Sequence, residues 1–142
     1  MKKIKAVIFD WGRTCWNVEN KALNAGIEEV LTFIKEKKIP MALVSLVNKE
    51  NTEPLEERRE RIEKSPIRKY FDVFVIGEGY NKDPLLEDAF QQLKISPKDI
   101  LVVDDRVIRG IAWINRNSGT SIWFKNGKFA SEEPSNADQT PN

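Results

Sequence analysis

The sequence predicts an α/β protein, a doubly wound five-stranded parallel sheet with helices on both faces. Two observations carry the prediction. Five short apolar runs rich in β-branched residues recur along the chain, and longer segments with the apolar spacing of helices lie between them. Runs that are apolar at nearly every position suit strands buried on both faces, and strands that alternate with helices pair in parallel. A chain of 142 residues buries one core rather than two, so residues 1–125 are read as a single domain.

The elements follow in order. The run IKAVIFD (4–10) is the first strand and ends on Asp10. GIEEVLTFIKEKK comes next, a helix with Ile27, Val30, Leu31 and Ile34 on one face. MALVS (41–45) is the second strand and ends on Ser45. EPLEERRERIEKS (53–65) is a charged amphipathic helix whose interleaved signs read as a solvated face laced with exposed ion pairs. DVFVIG (72–77) is the third strand, followed by the loop GEGYNKDP carrying Lys82 and the helix PLLEDAFQQLK. ILVVDD (100–105) is the fourth and closes on Asp104 and Asp105, RVIRGIAWINRN is the next helix, and TSIWF (120–124) is the last strand. Residues 126–142 are rich in Pro, Ser, Asn and acidic residues with little apolar content after Phe129, and are expected to be irregular or mobile.

Composition removes many chemistries. The chain has no histidine and one cysteine, Cys15, so it cannot build a His/Cys zinc site, a Ser-His-Asp triad or a Cys-His pair. Chemistry here must use carboxylates, lysine, hydroxyls, backbone groups or an oxygen-seeking metal such as magnesium. A net charge of +1 gives no electrostatic case for a nucleic-acid or membrane-surface partner. The first apolar run is short and stops at an aspartate, unlike a secretory signal, and a single cysteine fits a reducing compartment; a cytoplasmic protein is expected.

In an open α/β sheet, ligands bind beyond the carboxyl ends of the strands. The residues there are Asp10 with Thr14 just after it, Ser45, Lys82, and the pair Asp104 and Asp105. Taken singly, each has a structural explanation: Asp10 ends a strand, Thr14 and Ser45 cap backbone groups, Lys82 sits in a solvated loop, and the acidic pair begins a helix. Taken together they hold what phosphoryl transfer through an acyl phosphate requires. Asp10 would attack phosphorus, Mg2+ bridging Asp10 and Asp105 would neutralise the incoming phosphate, and Thr14, Ser45 and Lys82 would hold its oxygens.

These motifs resemble the haloacid dehalogenase-like (HAD) hydrolase superfamily over nearly the whole chain. IFDWGRT is similar to its first motif, D-x-D-x-T after a strand, and MALVS to its second. NKDPLLEDAFQQLKISPKDILVVDD is similar to the segment joining its lysine motif to its acidic motif. The resemblance implies a Rossmann-like fold and an Mg2+-dependent phosphatase with Asp10 as nucleophile and Lys82 as a catalytic and phosphate-binding group. It further implies Thr14 and Ser45 on the phosphate, and Asp10, Asp105 and the backbone carbonyl of Gly12 on the metal, with Asp104 as a further candidate ligand.

Two departures each remove a carboxylate. Family hydrolases usually carry an acid/base aspartate where Gly12 stands, and Arg13 beside it cannot replace a base because its guanidinium stays protonated. The acidic motif resembles G-D-R-x-x-x-D-I but reads DDRVIRGI, with Asp104 for the glycine and Gly110 for the later aspartate. The intervals that hold cap domains in the family hold only a connector with one helix, and a charged helix with SPIRKYF, so a capless, open site is expected.

The expected partner is a phosphorylated substrate, small molecule or macromolecule, or a second copy closing the site as a homo-oligomer. The alternative to a slow phosphohydrolase is a catalytically impaired domain that binds a phosphorylated ligand or a protein. A receiver-type signalling domain uses similar residues, but its acidic pair follows the first strand, whereas here the pair follows the fourth. The four tryptophans read as packing or rim residues, and Cys15 as inert.

Overall fold

The computed structural model describes residues 3–48 and 53–124. The segment expected to be irregular, 126–142, lies outside the described residues. Among the described residues the main sheet has five parallel strands: β1 (Ala6–Asp10), β4 (Met41–Asn48), β5 (Val73–Gly79), β6 (Ile100–Asp104) and β7 (Thr120–Trp123). Their spatial order is β5-β4-β1-β6-β7, so the chain builds outward from β1 on one side and then restarts on the other. That reversal between β1 and β6 is the switch point at which open α/β sheets bind ligands.

Side-chain parity in the strands sorts the core into two layers. Ala6, Ile8, Ala42, Val44, Ile100 and Val102 face α3 (Asp83–Leu93) and α4 (Ala112–Arg116), packing on Leu86, Ala89, Trp113 and Ile114. Val7, Phe9, Met41, Leu43 and Val103 face α1 (Ile27–Glu36) and α2 (Leu55–Glu63), packing on Leu31 and Ile62. Both faces of the central strands are therefore dry, as their uninterrupted apolar runs require.

The structure corrects the sequence reading at four places. Val30, expected on the inner face of α1, is 48% exposed. The helix covers Leu31 but leaves an apolar cleft of about 360 Å³ toward β7, lined in part by Val30, Ile122 and Phe124. The connector after β1 contains an antiparallel hairpin, β2 (Trp16–Asn17) with β3 (Ala22–Leu23), too short to leave a periodic signal. The RVIRGIAWINRN segment is not one α-helix: residues 107–111 form a wider turn that leaves helical geometry at Arg109 before α4 begins. Finally, α2 is not wholly a solvated face, because Arg58 and Ile62 are buried.

Among the described residues no inserted domain covers the carboxyl ends of the strands: β1 leads to β4 through the hairpin and α1, and β4 leads to β5 through α2 and a short 3-10 turn at Arg68–Tyr70. No helix among them is long and apolar enough to cross a membrane.

Candidate active site

Asp10 ends β1 with the parity of Ala6 and Ile8, so its carboxylate lies on the α3/α4 side of the sheet. The chain then turns at once: the amides of Thr14, Cys15 and Trp16 all approach the carbonyl of Trp11, at 3.4, 3.0 and 2.9 Å. This tight turn carries Thr14 back over the strand end, where its hydroxyl donates to Asp10 Oδ2 at 3.2 Å. Asn24 fastens the turn by donating to the Thr14 carbonyl at 2.7 Å. Trp11 is fully buried and stacks on Trp16, ring centroids 5.5 Å apart, so two of the tryptophans are packing residues here.

Lys82 immediately precedes α3, and the Asn81 side chain accepts the Asp83 amide at 3.0 Å to fix that start. The ammonium of Lys82, 2% exposed, donates to Asp10 Oδ1 at 2.6 Å and to Asp104 Oδ2 at 3.0 Å. Two carboxylates outweigh its desolvation, so its pKa is raised and it stays an ammonium. Asp104 shares the parity of Ile100 and Val102 and so reaches the same side as Asp10.

The substitution of Asp104 for glycine and of Gly110 for aspartate is one structural change. Asp104 Oδ1 accepts the Arg106 amide and Oδ2 accepts the Gly110 amide, both at 3.0 Å. A Cβ on residue 110 would overlap Asp104 Oδ2 and stand 3.0 Å from Val102 Cγ1. The Asp104 carboxylate thus fills the space that a side chain at position 110 would need. Burial opposes ionisation of Asp104, but Lys82 and the Arg106 amide overcome it, and its pKa is held below the ordinary value. Gly110→Ala is accordingly expected to destabilise the protein by about 2 kcal/mol in urea titrations, the range for overpacking a tight site. Unchanged stability would show that Asp104 can leave its place freely.

Asp105 completes the cluster. One carboxylate oxygen from each of Asp10, Asp104 and Asp105 lies within 4.8 Å of the others. Asp105 Oδ2 is buried with no hydrogen-bond partner among the described residues. Burial and then the charges of Asp10 and Asp104 push its pKa up to about 9. Asp10 is raised as well, by burial first and Asp104 second, with Lys82 opposing. Cys15 is fully buried, and burial followed by the charge of Asp10 pushes its thiol well up, so it is a packing residue rather than a nucleophile.

The structure therefore brings together Asp10, Thr14, Lys82, Asp104 and Asp105. Gly12 lies in the same turn, bridged to Trp16, and a Cβ built on it would meet nothing within 4 Å. Ser45 stands apart from this group. It follows Val44, the register partner of Asp10, but its parity is that of Met41 and Leu43, toward α2. There it meets Arg58, a residue that sequence reasoning missed because it is embedded in alternating surface charges.

Fold and cluster define the class: an open α/β domain with a carboxylate-centred site at its switch point. The chain belongs to the haloacid dehalogenase-like hydrolase family, whose model matches residues 2–113. A phosphorylated carbohydrates phosphatase from Thermotoga maritima is 31% identical over 86 residues, covering 58% of this chain and 37% of that protein. The chain thus spans little more than a third of that relative. Among solved structures, a HAD-superfamily hydrolase from Ehrlichia chaffeensis matches with a TM-score of 0.63 at 21% identity, over 87% of this chain and 88% of that one. The N-terminal part of protein BF1531 from Bacteroides fragilis, containing a phosphatase domain complexed with Mg, matches with a TM-score of 0.63 at 18% identity, over 85% and 36%. Likenesses at these identities show the fold.

Proposed function

We propose that the protein is a cytoplasmic, magnesium-dependent phosphohydrolase that forms an aspartyl phosphate on Asp10. The observation that carries this reading is the environment of Asp10, a buried carboxylate fixed by Lys82 and Thr14 and faced by Asp104 and Asp105. A carboxylate so held is a preorganised nucleophile.

The residues present fit a divalent cation. Full ionisation of the three carboxylates against one ammonium would leave two uncompensated negative charges, which a divalent cation would balance, and the donors are the hard oxygens that Mg2+ selects. The orphaned Asp105 Oδ2 is the atom most in need of a ligand. Asp10, Asp105 and the Gly12 carbonyl would hold the ion, with Asp104 beside them. When bound, Mg2+ neutralises the incoming phosphate and lets the carboxylates ionise together.

The chain's own groups then divide the work. Lys82 keeps Asp10 in place and offers its ammonium to a phosphoryl oxygen, while Thr14 holds the second carboxylate oxygen. One Asp10 oxygen attacks phosphorus and the ester oxygen departs with its electron pair. No acid stands at Gly12 to protonate that oxygen or to activate the water that later cleaves the acyl phosphate, so turnover favours good leaving groups and the intermediate decays slowly. With no covering domain among the described residues, the substrate, small molecule or macromolecule, would reach the site directly. The Thermotoga relative's name points to phosphorylated carbohydrates as the first small molecules to assay. Gly12 also favours a second reading, a domain that binds a phosphorylated ligand without turning it over.

The test is capture of the intermediate. With an aryl phosphate and Mg2+, a phosphoryl adduct on Asp10 is expected in peptide mass spectra after acid quench, together with a burst of phenol. No adduct and no burst would favour the binding domain.

Metal removal supplies a second check. Between the ordinary carboxylate value and about 9, the unfolded chain has lost the Asp105 proton while the metal-free native state keeps it. The native state then binds more protons, so stability falls as pH rises through that window, and the raised pKa of Asp10 acts in the same direction. Urea titrations in EDTA are expected to show this fall between pH 5 and pH 8, and Mg2+ to abolish it. A slope that Mg2+ leaves unchanged would place the metal elsewhere.

A further inference from the structure

We propose that Arg109 binds the substrate's phosphate, its guanidinium donating to oxygens of the phosphoryl group that Asp10 attacks. The inference rests on the reading above that the Asp10 cluster takes a phosphoryl group.

Arg109 lies in the wide turn over residues 107–111, between the two amides that fix Asp104. The amide of Arg106 reaches Oδ1 on one side and that of Gly110 reaches Oδ2 on the other, both at 3.0 Å. In this turn Val107 is buried and Ile108 is 64% exposed, so the turn forms surface beside the cluster. Arg109 itself is half-buried. Its guanidinium is close enough for the charges of Asp10, Asp104 and Asp105 all to favour its ionised form, against burial first and the charge of Arg106 second. Among the described residues, however, its side chain makes no hydrogen bond and no ion pair.

A partly desolvated guanidinium has five hydrogens to give and calls for an anion. The nearby carboxylates do not supply one. Asp10 is held by Lys82 and Thr14, and Asp104 by Lys82 and the two amides. Asp105 Oδ2 lacks a hydrogen-bond partner among the described residues, yet it and Arg109 do not pair. An unpaired cation and an unpaired carboxylate oxygen thus flank one cluster without closing on each other.

Charge leads to the same residue. With a divalent cation bound, that ion and Lys82 together would balance full ionisation of the three carboxylates. A phosphate dianion then meets a neutral cluster whose ammonium already serves two carboxylates. The hydroxyls are committed as well: Thr14 donates to Asp10, and Ser45 lies on the α2 side with Arg58. A planar guanidinium, able to bind two phosphate oxygens at once, supplies both the charge and the donors.

The test is calorimetric titration of the full chain, first with Mg2+ alone and then with inorganic phosphate in saturating Mg2+, for wild type, Arg109→Gln and Arg109→Lys. Arg109→Gln is expected to weaken phosphate binding about tenfold or more, the scale of a charge-assisted hydrogen bond. Mg2+ affinity should hold or rise, because the variant removes a positive charge from beside the carboxylates. Opposite responses to anion and cation mark a ligand contact; a damaged turn would weaken both. Arg109→Lys keeps the charge without the fork, so its phosphate affinity should fall between the other two.

Unchanged phosphate affinity in Arg109→Gln, parallel loss of Mg2+ and phosphate binding, or a wild type that binds no phosphate would each overturn the proposal. If Arg109→Gln does not fold, Arg109→Lys decides, and full wild-type affinity there overturns it. Failure of the hydrolase reading is distinguishable. A wild type that hydrolyses an aryl phosphate no faster than Asp10→Asn, while phosphate binding still depends on Arg109, would remove the catalytic reading and keep Arg109's role.

Discussion

Asp10→Asn is expected to abolish magnesium-dependent hydrolysis of an aryl phosphate, lowering kcat by at least about 10³-fold. The amide keeps the shape of the carboxylate and can still accept from Lys82, so the packing at the end of β1 survives. What disappears is the lone-pair nucleophile and one negative charge. Asp10 is raised in pKa because burial and Asp104 make its ionisation unfavourable, so asparagine relieves a strain in the metal-free protein. Lys82 retains Asp104 at 3.0 Å and does not become an unpaired buried cation. Thermal stability in EDTA near pH 8 is therefore expected to equal or exceed that of wild type. Loss of activity with retained stability separates chemistry from folding; equal rates in variant and wild type would end the case for Asp10 as nucleophile.

The second large effect runs in the opposite direction. Gly12→Asp is expected to speed decay of the aspartyl phosphate, and steady-state turnover with it, by about 10²-fold or more, the contribution of a placed general acid and base. The structure permits the change, because a Cβ at this position meets nothing within 4 Å and the turn already exists. The new carboxylate would stand two residues from the nucleophile, able to protonate a departing ester oxygen and then to draw a proton from water. Single-turnover traces should show the burst replaced by continuous release. A correctly folded Gly12→Asp variant whose acyl phosphate persists as in wild type, or never forms, would count against a latent hydrolase.

The sequence made the fold legible wherever burial was two-sided. All five runs became strands, and in the central ones a stretch apolar at nearly every position has few other places to go; β7, expected to be buried on both faces, has no buried residue and Ile122 is half exposed. β4 and β5 continue past the runs, to Asn48 and Gly79, because a strand persists as long as a neighbour supplies hydrogen bonds, which composition does not record. The hairpin after β1 escaped notice since two residues per strand cannot display a period. Of the candidate site, Asp10, Thr14, Lys82, Asp104 and Asp105 were legible because chain order and strand ends together predict convergence. Arg58 was not. Its neighbours Glu57, Arg59 and Glu60 give the same local pattern whether the residue points outward or inward, and only the packing of α2 against the sheet decides.

Asp104 and Gly110 stand six positions apart, and their interlock makes them a single hereditary unit. From a glycine at 104 with an aspartate at 110, the present pair can be reached one substitution at a time only through a form with two carboxyl groups competing for one space, or a form with none facing Lys82 there. Both intermediates are expected to be impaired, so the two arrangements would be separated by a valley rather than a slope. Related chains should carry one arrangement or the other and seldom a mixture. Anyone moving this acidic motif into another scaffold must transplant both positions at once.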